Sequence, residues 1–177
     1  MSARSAVVTQ RVFFALLPPV GLAREMQRIA QTCIADTSVR RISLESLHMT
    51  LLFLGERTQN EIERAQSAAE AVRQAPFEIR LKHCEFRKRQ AIVWLRGETD
   101  ATLEALVENL RAGLQRAEVA FDPKPFLPHV TLARQVHSAT PADCDLSWPV
   151  HEFALMRSSP SPSGSRYQAI GQWPLRS

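Results

Sequence analysis

The sequence lacks any apolar run long enough to cross a membrane. A membrane-spanning helix needs roughly 18 or more apolar residues, and the apolar segments of this chain are much shorter. The N-terminal stretch MSARSAVVTQRVFFALLPP also lacks a small-residue cleavage site after its short apolar run. We therefore expect a cytoplasmic protein that has no membrane partner.

Cysteine and glycine are also scarce. Cys33, Cys84 and Cys144 are odd in number and have no close paired spacing, which argues against a disulfide framework and against a cysteine zinc site. Only six glycines occur, and they form neither a phosphate-cradling loop nor the turn that presents a nucleophilic serine. These absences argue against a cysteine zinc enzyme, an enzyme with a phosphate-cradling glycine loop and an enzyme with a nucleophilic serine on a tight turn.

Lysine occurs only at positions 82, 88 and 124, so arginine carries most of the positive charge behind the net charge of +4. The planar guanidinium suits phosphate, but a general bias in the amino-acid composition of the source organism explains the enrichment in arginine equally well. The basic run RLKHCEFRKR, residues 80–89, could steer a polyanion; we favour the solvated face of a hairpin. Charge alone therefore leaves nucleic-acid binding open.

The apolar pattern predicts one domain, residues 1–177, in which strands and helices follow in similar order on either side of residue 90. Strands are predicted near 11–17, 39–42, 47–53, 77–86, 91–95, 129–134, 152–157 and 167–173. Helices are predicted at 20–33, from an Asn60 cap with Glu63 to about 74, and after a cap at Thr99 or Asp100. A polar loop is expected between 134 and 152. This order indicates a pseudo-twofold α+β architecture.

Each half contains one His-x-Thr-Leu tetrad in an otherwise apolar strand, LHMTLLFLGE at 47–56 and PHVTLAR at 128–134. Side chains alternate along a strand, so His48 and Thr50 should share one face, with Met49, Leu51 and Phe53 on the other. The same alternation pairs His129 with Thr131. We interpret both strands as lining a cleft between the halves.

One histidine in an apolar strand is usually a structural residue, but two identical tetrads favour a functional role. A zinc site needs three or four ligands, and neither tetrad supplies a second one; His83, His137 and His151 have no threonine partner and are interpreted as structural. Two imidazoles suit general acid–base chemistry, in which one takes a proton from water and the other protonates a leaving oxygen. An anionic phosphate group between them fits this arrangement.

The two tetrads resemble the paired motifs of the 2H phosphoesterases, in particular the RNA 2′,3′-cyclic phosphodiesterases once named 2′-5′ RNA ligases. RVFFALLPP, APFEIRL, FLPHVTLAR and GSRYQAIGQWPL resemble the same family in the same order. The resemblance implies a bilobal α+β fold in which two antiparallel sheets flank a central cleft, with helices outside. It also implies hydrolysis of 2′,3′-cyclic phosphate ends to 2′-phosphates without metal or cofactor.

By the same resemblance, His48 is the expected proton donor, His129 the proton acceptor, and Thr50, Thr131 and Arg134 the substrate-binding residues. Strict alternation points Arg134 away from His129, so it reaches the cleft only through a bulge or at the end of the strand. Many relatives carry a basic or polar residue at the position of Leu52, so a substrate contact expected there is absent.

Two further residues have alternative interpretations. Phe126 could stack on a base, although core packing is the simpler role, and Arg41 could meet RNA or form a solvated edge. The expected partners are RNA ends or nucleotides that carry a cyclic phosphate, and no obligate protein partner is indicated. Two alternative functions are a ligase that forms 2′-5′ linkages in the same cleft and a module that binds RNA ends without turnover.

Overall fold

The computed structural model describes residues 8–162 and 164–177; the first seven residues of the N-terminal stretch lie outside this range. The strands are β1 Thr9–Leu16, β2 Met49–Thr58, β3 Phe77–Arg87, β4 Ile92–Gly97, β5 His129–Arg134, β6 Ala142–Val150, β7 Glu152–Ser161 and β8 Gly164–Pro174. The helices are α1 Val20–Cys33, α2 Gln59–Glu70 and α3 Ala101–Arg116, and short 3-10 helices span Leu44–Ser46 and Lys88–Gln90.

The eight strands form one antiparallel sheet in the order β6-β3-β4-β5-β2-β1-β7-β8. The two motif strands, β2 and β5, lie side by side at its centre and pair only through Met49 and Val130. The structure therefore has one continuous sheet where two sheets were expected. Its halves meet at that single residue pair.

The helices cover one face of the sheet because each presents an apolar stripe at helical spacing. Helix α1 packs against β3, β5 and β6. Helix α2 packs against β1, β2 and β8, helix α3 packs against β2 and β3, and these two helices also pack against each other. Gly113 of α3 lies so close to Ala68 of α2 that an added Cβ would come within 3.4 Å of the Ala68 Cβ. The opposite face of the sheet carries the histidines.

One of two predicted helix caps is confirmed by the structure and the other is wrong. Asp100 caps α3 as predicted, accepting hydrogen bonds from the Thr102 and Leu103 amides. The prediction that Asn60 and Glu63 cap the second helix is wrong, because Thr58 and Glu61 form the capping box. The same residue spacing occurs two positions earlier, and the Thr58 hydroxyl meets the Glu61 amide at 3.3 Å.

The strand assignments also change at several places. Residues 142–150 form edge strand β6 instead of a polar loop; its inward residues alternate with polar ones, and Pro149 is tolerated at an edge. The short strand predicted at 39–42 reduces to an isolated bridge between Arg41 and Ala133. Strand β7 extends four residues beyond the predicted end at 157, to Ser161.

Within the described residues, no helix combines the length and apolarity needed to cross a membrane.

Candidate active site

A bulge in β5 brings Arg134 to the face of the sheet that carries His129. Thr131 is paired with Trp94 and Ala133 with the adjacent Val93, so Leu132 is an extra residue in β5. An extra residue reverses the alternation of the side chains that follow. Arg134 is therefore exposed in the cleft. The bulge is one of the two ways in which Arg134 was expected to reach this face.

The first motif strand contains a bulge at the equivalent position. Thr50 is paired with Ala15 and Leu52 with the adjacent Phe14, which leaves Leu51 as the extra residue in β2. The assignment of Phe53 to the core face is therefore wrong: Phe53 lines the cleft and is 42% exposed, whereas Leu52 is 4% exposed and packs in the core. Leu52 consequently does not occupy a substrate-contact position.

Both histidines are held in the same way. The Nδ1 atom of His48 lies 2.7 Å from the Ser46 carbonyl oxygen, and that of His129 lies 2.8 Å from the Leu127 carbonyl oxygen. A carbonyl oxygen can only accept, so Nδ1 carries the proton in each ring. The Nε2 atom of each histidine remains available to exchange a proton with a molecule in the cleft.

The pairing of Met49 with Val130 relates the two motifs by an approximate twofold axis. In an antiparallel register about this pair, position 48 lies across from position 131, and position 50 across from position 129. Each histidine is thus set against the threonine of the other motif. Both histidines line the same cleft, and the positive charge of His129 contributes to the lowered pKa of His48, so the two rings lie near each other.

Aromatic side chains fix the orientation of each imidazole. The His48 ring lies 5.0 Å from Phe13 and 4.9 Å from Tyr167, measured between ring centroids, and the His129 ring lies 4.4 Å from Trp94. The Trp94 indole in turn donates a hydrogen bond to Glu85 at 2.9 Å. Sequence reasoning did not identify Phe13, Tyr167 or Trp94, since nothing in their local pattern marks them as cleft residues.

These surroundings lower the pKa of both histidines. Burial lowers the pKa of His48 and of His129 most, because it removes water from the charged ring; the hydrogen bonds to the Ser46 and Leu127 carbonyls partly oppose this. The positive charge of Arg134 lowers both pKa values further. In the free protein, both rings are therefore biased toward the neutral form.

The cleft has a volume of about 400 Å³ and is lined by both histidines, both threonines, Arg134 and Arg11. Its lining within the described residues includes no aspartate or glutamate. Within the described residues, this lining combines two guanidinium groups, two imidazoles and several hydroxyls with no carboxylate, which suits an anion with several oxygens. An oxygen-rich phosphate matches this chemistry.

The remaining candidate residues lie outside the cleft. Phe126 packs against the core, and Arg41 donates a hydrogen bond to the Ile34 carbonyl at 3.0 Å. His83 pairs with Asp143 at 2.9 Å, and His137 and His151 are exposed elsewhere on the surface. Arg80 and Lys82 of the basic run pair with Asp145, which agrees with a solvated hairpin face. The described part of the chain contains no group of three or more His, Cys, Asp or Glu residues arranged to hold a metal ion.

Comparison with known protein families assigns the chain to a superfamily. The model of the 2′-5′ RNA ligase superfamily matches residues 18–161, a span that includes both motif strands. The chain belongs to this superfamily. The family resemblance carried by the two tetrads is thereby confirmed.

Individual relatives in this superfamily match over most of their length. An RNA 2′,3′-cyclic phosphodiesterase of Thermus thermophilus is 33% identical, with 94% of this chain and 90% of the relative covered. A protein of the same name from Escherichia coli is 29% identical, with 94% and 97% covered. The crystal structure of E. coli LigT complexed with 3′-AMP superimposes with a TM-score of 0.83 at 29% identity, covering 95% of this chain and 99% of that one.

Proposed function

We propose that the protein hydrolyses 2′,3′-cyclic phosphate ends of RNA or nucleotides to 2′-phosphates, using His48 and His129 as acid and base without a metal or cofactor. The observation that carries this proposal is the matched pair of imidazoles, each with Nδ1 bonded to the carbonyl two residues earlier, in one cleft whose described lining has no carboxylate. The names of the relatives support the same reaction.

In the proposed reaction, His129 Nε2 accepts a proton from water, and the water oxygen attacks phosphorus. The bond between phosphorus and O3′ breaks, and protonated His48 Nε2 donates its proton to O3′. The product keeps its phosphate on O2′. The assignment of donor and acceptor follows the family resemblance, because the two histidines are related by pseudo-symmetry and have equivalent hydrogen bonds.

Substrate contacts follow from the positions of the other cleft side chains. We propose that the Thr50 and Thr131 hydroxyls and the Arg134 guanidinium bind the phosphate oxygens, since all three line the cleft beside the histidines. The exposed ring of Phe53 offers a surface on which the terminal base stacks. The two halves of the sheet would then act as the lobes of one catalytic domain, and the expected location is the cytoplasm.

The test is hydrolysis of a nucleoside 2′,3′-cyclic phosphate by His48→Ala and His129→Ala proteins, with 2′- and 3′-phosphate products resolved by chromatography. Each substitution should lower kcat by roughly 10² to 10⁴, the usual contribution of a positioned acid or base. His83→Ala is the matched control, because His83 is an exposed histidine outside the cleft. Near wild-type turnover in either cleft variant would refute the mechanism.

Ligation in the same cleft is the alternative that the superfamily description favours. A ribose hydroxyl can replace water as the attacking group, which would join two RNAs through a 2′-5′ linkage. Incubating equal enzyme with a cyclic-phosphate RNA and a 5′-hydroxyl RNA separates the outcomes. Hydrolysis predicts 2′-phosphate as the main product, whereas a dominant joined product would favour the ligase.

A further inference from the structure

The cleft continues beyond the histidines into a second depression. This depression has a volume of about 450 Å³ and shares Arg11, Ser158 and Ser165 with the cleft. The register explains the continuity, since Arg11 of β1 pairs with Ser158 of β7, and Ser158 pairs with Tyr167 of β8. Paired residues share a face of the sheet, so the groove runs from Tyr167, beside His48, toward Arg11.

Arg11 is the charged group at the junction of the two depressions. Its side chain is exposed, and within the described residues it makes neither a hydrogen bond nor an ion pair. Arg157, in the second depression, is instead held by Gln10 and Gln168. Glu56 lies beside Arg11 in the register, but its carboxylate accepts a hydrogen bond from the Thr9 hydroxyl at 3.0 Å. The Arg11 guanidinium therefore remains available for an external anion.

Arg11 lies close along β1 to an aromatic ring that contacts His48. Arg11 lies two residues along β1 from Phe13, a step of about 6.7 Å, and the Phe13 ring contacts both His48 and Phe53. A terminal nucleotide bound as proposed above, with its cyclic phosphate between the histidines and its base on Phe53, needs a path for the chain attached to its 5′ oxygen, and the groove toward Arg11 offers one. The next anion of an RNA chain is attached to that oxygen.

We propose that Arg11 binds the phosphodiester that joins the terminal nucleotide to the rest of the RNA, with the Ser158 and Ser165 hydroxyls beside it. The inference rests on the proposed function and makes it more specific. The preferred substrates are RNA chains that end in a cyclic phosphate, in preference to nucleoside cyclic phosphates, which have no phosphate on the 5′ side.

The experiment compares kcat/KM for a nucleoside 2′,3′-cyclic phosphate and for a trinucleotide with the same terminal base and cyclic end. Wild-type protein should prefer the trinucleotide, and Arg11→Gln should reduce that preference about tenfold, as expected for one charge-assisted contact. Arg11→Lys should restore part of it. Loss of one phosphate contact should also reduce the slope of log kcat/KM against log salt by roughly 0.7 for the trinucleotide.

Arg24→Gln is the matched control, because Arg24 is an exposed arginine on α1, outside both depressions; its preference should equal the wild-type value. An Arg11→Gln protein with unchanged preference, or with equal losses on both substrates, would overturn the inference and leave the proposed function standing. A wild-type protein that opens neither substrate would instead refute the proposed function, and the inference with it.

Discussion

Replacing Arg134 by glutamine should lower activity without affecting the fold. In the described structure its guanidinium is exposed in the cleft and has no hydrogen bond or ion pair, so its loss breaks no contact of the free protein. With substrate bound, a hydrogen bond from a charged donor contributes roughly 1.5–3 kcal/mol. We therefore expect kcat/KM to fall by roughly 10- to 150-fold, while the free energy of unfolding changes by less than about 0.5 kcal/mol.

The same substitution should move the pH profile. Arg134 is one cause of the lowered pKa of His48 and of His129, so removing its charge raises both pKa values. The acidic limb of kcat/KM marks protonation of the base, and the basic limb marks deprotonation of the acid. Both limbs should therefore shift to higher pH in Arg134→Gln.

Arg134→Lys separates the two effects of the side chain. Lysine keeps the charge but not the planar fork that contacts two oxygens at once, so this variant should lose rate while its pH profile stays near the wild-type position. The assay is initial-rate hydrolysis of a nucleoside 2′,3′-cyclic phosphate from pH 5 to 9, with urea unfolding of each variant. Wild-type kcat/KM in Arg134→Gln, or limbs that do not move, would contradict the proposed placement of Arg134.

Substitutions at three further positions test the core packing of β2 and the surroundings of the cleft. Leu52→Ala should destabilise the protein by about 2–5 kcal/mol in urea unfolding, because it opens a cavity in the core; a change below about 0.5 kcal/mol would argue against the bulge. Phe53→Ala should leave stability nearly unchanged but lower kcat/KM by roughly 5- to 150-fold through lost base stacking, so wild-type kcat/KM would remove Phe53 from the base site. Trp94→Leu removes the ring against His129 and should lower kcat by roughly two- to tenfold, whereas Trp94→Phe should retain more activity; equal rates in the two would exclude a positioning role.

Most of the fold could be predicted because its elements have strong local patterns. Helix α1 spans the predicted residues, and β3 and β4 lie within one residue of the predicted strand starts and form the expected hairpin. Strand β6 was missed because its polar face dominates the composition, although Cys144, Leu146, Trp148 and Val150 alternate as a strand requires. The meeting of the two halves in one sheet depends on a single long-range pair, which no local pattern encodes.

Strict alternation of side chains along a strand does not predict the bulges in β2 and β5. The sequence nevertheless contains a pattern that indicates them. Aligning HMTLLF at 48–53 with HVTLAR at 129–134 places Phe53 and Arg134 at the same position of the two motifs. If one of these side chains reaches the cleft, a pseudo-twofold fold requires the other to reach it as well. The extra residues, Leu51 and Leu132, occupy matching positions and meet this requirement.

The difference between Phe53 and Arg134 follows from the asymmetry of the proposed substrate. Both sides of the phosphorus atom need proton transfer, because one oxygen attacks while another leaves, so the histidine of each motif can be retained. Beyond the reacting atoms the proposed substrate is not symmetric, because it presents anionic phosphate oxygens on one side and an uncharged base on the other. A guanidinium suits the first and an aromatic face the second. The two bulged strands thus keep the histidine and the threonine, and they differ at the cleft-facing position after the bulge, where the two sides of the proposed substrate also differ.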